Sequence, residues 1–241
     1  AELVAGFDPG PIRTVFSTRD QGHARERYFR ESGQAIHFFF EEEATDQPVS
    51  LALNKVGHAL HDLDPVFDRI SRRPQFAALA NALGLEQPLL LQSMYLFKQP
   101  RIGAEVGWHQ DATYFALEPA CHVTAWVALT DATVDNGCLQ VVRGRHRAGV
   151  LRRDLAPWTD PSGLADIDPR DVVDVAVPAG SVVVMSSLTP RRVRPNVTRS
   201  TGVAYAIQYL RDMIDASDHT TVADTHRQFP VVRGGQLVGP S

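Results

Sequence analysis

Val172-Val173-Asp174-Val175-Ala176-Val177-Pro178-Ala179-Gly180-Ser181-Val182-Val183-Val184-Met185 is the stretch on which the fold turns. Its β-branched side chains suit a pleated, half-buried surface, and Pro178-Ala179-Gly180 between them reads as a tight turn. Runs of the same character recur at 89–97, 123–129, 138–142 and 203–209, separated by Gly, Pro and Asn. Many short strands with such turns predict a mainly β protein with flanking helices, built on a jelly roll or related double-sheet barrel.

Ahead of this region, residues 35–40 form an aromatic and β-branched run that predicts a buried strand, ended in solvent by Glu41-Glu42-Glu43. The mixed run 54–61 carries Lys55 and His58, both candidates to face a pocket. Asp64-Pro65 is a cap followed by an N1 proline, and Phe67, Ile70, Phe76, Leu79, Ala80 and Leu83 give apolar helical spacing up to Gly84. Arg73-Pro74 is expected to split this segment into two short helices. Residues 1–34 are polar, with a turn at Asp8-Pro9-Gly10-Pro11 and a helix start at Thr18-Arg19-Asp20. Between 149 and 170 lies a long polar loop with Trp158, which either touches substrate or anchors the loop. Residues 211–241 read as a tail draped on the surface. The division is one domain over 1–241: a helical and irregular part at 1–88, the β core at about 89–210, then the tail.

The 241 residues carry a net charge of −4, which argues against nucleic acid or an anionic membrane as partner and for a small molecule. Cys121 and Cys138 have neither a disulfide framework nor zinc-like spacing, and read as thiols in a reducing compartment. With no apolar run of about 18 residues and no signal-peptide pattern, the chain is expected to be cytoplasmic.

The chemistry concentrates at Trp108-His109-Gln110-Asp111. On a strand, side chains two apart share a face, so His109 and Asp111 can present an imidazole and a carboxylate to one point. Two histidines and one carboxylate hold non-haem Fe(II), and the second histidine has to come from further along the chain.

That block resembles the phytanoyl-CoA dioxygenase family, as do Ser93-Met94-Tyr95-Leu96-Phe97-Lys98-Gln99-Pro100, the run from Asp131 to Leu139 around Asn136-Gly137, and Ser187-Leu188-Thr189-Pro190 through Pro195-Asn196. The closest likeness is to its phytanoyl-CoA dioxygenase domain-containing branch. The resemblance implies a double-stranded β-helix (cupin-like) core that uses Fe(II), O2 and 2-oxoglutarate on small molecules or acyl thioesters. It makes His109 and Asp111 iron ligands, and Lys55, Met94 and Trp126 lining for 2-oxoglutarate. Asn136-Gly137 is a hairpin turn with positive φ expected at both residues.

The sequence departs from the family where the distal histidine, a serine and the 2-oxoglutarate arginine belong: these positions read Arg191, Val193 and Gly202. Arginine is a permanent cation and no metal ligand. The expectation is that Arg191 takes the metal's place opposite Asp111, leaving His109 free as a general acid or base for a metal-independent cyclisation, isomerisation or dehydration in small-molecule, natural-product biosynthesis. The catalytic set is then His109, Asp111 and Arg191, with no cofactor. The alternatives are a working Fe(II)/2-oxoglutarate hydroxylase and a non-catalytic small-molecule binding protein.

Overall fold

The computed structural model describes residues 2–8, 14–15, 28, 31–44, 46–85, 88–115, 122–151 and 167–210, together with short backbone segments at 229–230, 232–233 and 236–237. Two antiparallel sheets face each other. The larger has strands β1 (Ile36–Phe40), β2 (Leu53–His58), β3 (Leu89–Lys98), β5 (His122–Ala128), β8 (Val182–Ser186) and β10 (Gly202–Leu210), in the order β1-β2-β3-β10-β5-β8. The smaller has β4 (Val106–His109), β6 (Leu139–Val142), β7 (Val172–Val175) and β9 (Arg191–Val193), in the order β4-β9-β6-β7. This is the jelly-roll core expected from the strand pattern.

The opening stretch behaves differently from a hairpin. Its turn is present, with Gly180 at φ +85, but β7 pairs with β6 and β8 with β5. The turn is a corner passing the chain from one sheet to the other, and Val177 makes only a bridge to Ala132.

Alternation along β10 sorts its side chains. Tyr205, Ile207 and Tyr209 face outward into the main apolar cluster, with Phe38, Leu53, Val56, Leu60, Phe76 and Leu90. That cluster packs the sheet beneath α1 (Pro65–Ser71) and α2 (Pro74–Ala82), the two helices predicted around Arg73-Pro74. Asp64 caps α1 by accepting from the Val66 and Phe67 amides. The end of α1 is tied to β10: Tyr209 donates to the Ser71 carbonyl at 2.7 Å, and the Tyr205 and Ser71 hydroxyls meet at 2.8 Å. Each such buried aliphatic or aromatic side chain contributes about 2 kcal/mol by leaving water.

The opposite face of β10 carries Gly202, Ala204, Ala206 and Gln208. The glycine and the two alanines leave room inside the barrel, and the site lies there.

Several expectations need correction. Glu41 does not end β1 in solvent: it is buried and accepts from Asn54 Nδ2 at 3.1 Å, while Glu42 and Glu43 are exposed. The mixed run 54–61 is largely strand β2, with Asn54 and His58 hydrogen-bonded inside the protein. His58 bonds to the Ser32 hydroxyl at 2.7 Å rather than facing a pocket. At Asn136-Gly137 only Gly137 has positive φ; Asn136 uses its side chain, accepting from the Thr133 amide and donating to the Asp131 carbonyl. The tail adds a short strand β11 (Phe229–Pro230) beside β3 instead of only lying on the surface. The predicted helix start at 18–20, Cys121 and Trp158 lie outside the described residues. Among the described residues no helix is long and apolar enough to cross a membrane.

Candidate functional site

β4 ends at His109, and Asp111 follows in the turn leading into the short helix Ala112–Phe115. The two do not share a strand throughout, as the x-spacing suggested, yet they converge: His109 Nε2 is 3.8 Å from Asp111 Oδ1. Gln110 between them faces away and fastens the turn, donating to the Gly149 and Leu188 carbonyls and accepting from the Leu151 amide.

β9 pairs with β4 so that Arg191 stands directly opposite His109. The Arg191 side chain runs into the barrel, where Nη2 donates to Asp111 Oδ1 at 2.6 Å and Nε donates to His109 Nε2 at 3.3 Å. The other Asp111 oxygen, Oδ2, accepts from Thr124 Oγ1 at 2.7 Å and Gln208 Nε2 at 2.9 Å. Gln92 donates in turn to Gln208 Oε1, fixing the amide's orientation. Thr124 and Gln208 are polar residues at inward positions of otherwise apolar strands. That alternation was the signal for them in the sequence, and it went unread.

The electrostatics follow from this packing. His109, Asp111 and Arg191 are all buried. Burial alone would raise the Asp111 pKa, but Arg191, aided by His109, His122 and the Thr124 hydrogen bond, holds it below the ordinary carboxylate value. Burial first and Arg191 second push His109 down to about 4, against the opposing pull of Asp111 and the Gly107 carbonyl. His109 Nδ1 lies 2.9 Å from that carbonyl, so Nδ1 carries the proton and Nε2 offers its lone pair to Arg191. His122, at the start of β5 and also buried, is pushed to about 4 chiefly by desolvation. The imidazole expected to be free as an acid or base is thus engaged at both nitrogens.

Iron does not fit this donor set. The lone pairs that His109 and Asp111 would turn to a metal are directed at N–H groups of Arg191, which has none of its own to give. Among the described residues no group of three His, Cys, Asp or Glu stands together in a metal-binding arrangement.

The remaining predicted residues share the inward face of the large sheet. Met94 and Trp126 lie on either side of Ala206 in register, and Lys55 stands opposite Leu96. Lys55 is buried, its ammonium 5.2 Å from the centre of the Phe39 ring, and desolvation brings its pKa down to about 7. Next to this layer is a cavity of about 110 Å³ whose walls include Trp126, Leu96, Val193, Leu139, Gly202 and Lys98. Trp126 borders it; Lys55 and Met94 do not. Val193 and Gly202 present no donor to a dicarboxylate, so the far end of 2-oxoglutarate finds neither hydroxyl nor guanidinium there.

A two-sheet antiparallel barrel with a His-x-Asp pair turned into its interior is the framework of the non-haem iron, 2-oxoglutarate-dependent oxygenases. Within that class, the sequence profile of the phytanoyl-CoA dioxygenase (PhyH) family matches residues 11–201, and the chain belongs to that family. It is 37% identical to a phytanoyl-CoA dioxygenase of Arabidopsis thaliana over 220 residues, covering 87% of this chain and 77% of that protein. It is 38% identical to the mouse phytanoyl-CoA dioxygenase domain-containing protein 1 over 228 residues, covering 87% and 78%. In fold it is similar to SnoK, a non-haem alpha-ketoglutarate-dependent carbocyclase from nogalamycin biosynthesis, with a TM-score of 0.61, 23% identity and coverage of 78% and 77%.

Proposed function

We propose that this member of the phytanoyl-CoA dioxygenase family binds a small organic molecule in its barrel without iron, the place of the metal being taken by Arg191. The observation that carries this reading is the double contact of one guanidinium with both would-be ligands, 2.6 Å to Asp111 and 3.3 Å to His109. A bidentate, charge-assisted contact of this kind holds both partners in a fixed geometry. Cationic charge is retained at the centre of the site, but the open coordination positions that activate oxygen are not.

The geometry supports binding over acid–base turnover. A general base needs an accessible lone pair with a pKa near the working pH. His109 Nε2 instead faces a permanent cation, and its pKa near 4 keeps the ring neutral.

Titration of the purified protein with Fe(II) under argon, with and without 2-oxoglutarate, tests the reading. No stoichiometric iron uptake is expected, and a chelator should leave the melting temperature unchanged. The Arg191→His variant, which restores the third donor, should gain iron affinity. Stoichiometric iron in the wild-type chain, coupled to consumption of 2-oxoglutarate, would refute the proposal.

A further inference from the structure

The cavity beside the Arg191 cluster has one feature that the loss of oxygenase chemistry does not account for, a partly buried lysine in its wall. Val193 lies two residues along β9 from Arg191, and Trp126 two residues along β5 from Thr124, so the cavity sits one strand repeat, roughly 7 Å, further along the barrel interior. Its walls are mainly apolar, with Asn54, Thr130, Asp131 and Asn136 as neutral or acidic polar members, and Lys98 stands at the end distal to Arg191.

The position of Lys98 is built in by its neighbours. It is the direct cross-strand partner of Gly202, and a Cβ on Gly202 would lie 3.2 Å from Lys98 Cβ. A Cβ on Gly137 would lie 3.0 Å from Lys98 Cε. The two glycines therefore leave the channel through which the lysine stem runs, and the charge at this wall comes from residue 98 rather than residue 202.

An ammonium has three N–H donors, and Lys98 spends one on the Ala104 carbonyl. The carboxylates around it have other donors. Glu41 takes Asn54 Nδ2 and the Ala104 amide, Asp131 takes the Ala179 amide at 2.8 Å, and Glu105, half exposed, lies 3.8 Å from Arg192. Glu41 and Glu105 nonetheless favour the charged lysine, and against the larger effect of desolvation its pKa stays near 8, so the group is mostly cationic at neutral pH.

We infer that the cavity is a subsite for a small, apolar monocarboxylate whose head group is held by Lys98 and whose chain lies against Leu96, Trp126, Leu139 and Val193. The inference rests on the proposed function above, in that Arg191 is committed to Asp111 and Lys98 is the cation among the described residues of the cavity wall. A second carboxylate would find no further counter-charge in the described wall, where the other ionisable side chain is the Asp131 carboxylate, which disfavours dicarboxylates.

Binding of pentanoate, 1-pentanol and glutarate, followed by calorimetry on the full chain, tests it. Pentanoate is expected to bind the wild type more tightly than either of the others. Lys98→Met should weaken pentanoate about tenfold or more and leave 1-pentanol unchanged, while Lys98→Arg keeps pentanoate binding. Val193→Trp, which fills the cavity without touching the charge, should abolish it and gives a second reading if Lys98→Met does not fold. Equal affinity for pentanoate and 1-pentanol, undiminished pentanoate binding in Lys98→Met or Val193→Trp, or no pentanoate binding by the wild type would each overturn the inference. Iron uptake by the wild type would overturn the earlier reading instead, so the two failures are distinguishable.

Discussion

Asp111 is held by three hydrogen bonds that favour its charged form: Thr124 and Gln208 supply neutral donors to one oxygen, and Arg191 supplies the counter-charge to the other. A buried ion pair adds little net stability over a well-packed apolar replacement, but breaking it from one side leaves an uncompensated charge. Arg191→Met is therefore expected to destabilise the protein by about 3–5 kcal/mol in urea unfolding. Arg191→Met combined with Asp111→Leu should recover most of that loss, since no charge is then left buried. If the double variant is as unstable as the sum of the single ones, the two residues are not coupled and the cluster is not the unit described. At this scale the sequence was informative about identity and silent about orientation. That Arg191 stands where the family pattern carries its distal histidine was legible from the resemblance of the block after Thr189-Pro190. That its Nε would engage His109 depends on the β4–β9 register, which aligns Arg191 with His109 and is set by long-range pairing.

Among the elements, period-2 alternation made most strands of the core legible, because each has one face packed and the other turned inward. It failed where polar residues are satisfied inside the protein. β2 reads as a mixed segment because Asn54 bonds to Glu41 and His58 to Ser32, pairings distant in sequence. The corner after β7 reads only as a tight turn, because turn chemistry specifies the reversal and not which sheet receives the next strand. Glycines at two turns separate these local and non-local demands. Gly180 needs only positive φ, with nothing within 4 Å of a built Cβ; Gly137 has φ +82 and would place Cβ 2.4 Å from the Arg194 carbonyl oxygen. Gly180→Ala should cost about 1–2 kcal/mol from backbone strain alone. Gly137→Ala should cost about 3 kcal/mol or more, because the chain after β9 must also shift. Denaturant midpoints of the two variants compare them directly, and equal losses would mean that the Arg194 contact gives way without cost.

Across the whole molecule, the helices on one side of the large sheet and the charged cluster on the other are both built with neutral, buried histidines, which ties stability to pH. His61, next to α1, contacts Ser93 Oγ through Nδ1 at 2.8 Å, and burial, aided by Arg72, takes its pKa down to about 3. The folded value is below the unfolded one of about 6.5, so between these limits the unfolded chain binds the extra proton. Stability from this group is full above about pH 6.5 and is lost as pH falls toward 3, at up to about 1.4 kcal/mol per pH unit. His109 and His122, both near 4, add to the same trend, while Glu41, whose pKa burial raises, opposes it. The contribution of His61 is isolated by substitution: His61→Gln removes the titration and keeps a polar side chain of similar reach. Its unfolding free energy should fall less steeply than that of the wild type between pH 6 and 4, by up to one proton in slope. Parallel pH profiles would show that His61 is already protonated in the folded protein, and would place a second buried cation beside Arg72 under the helices.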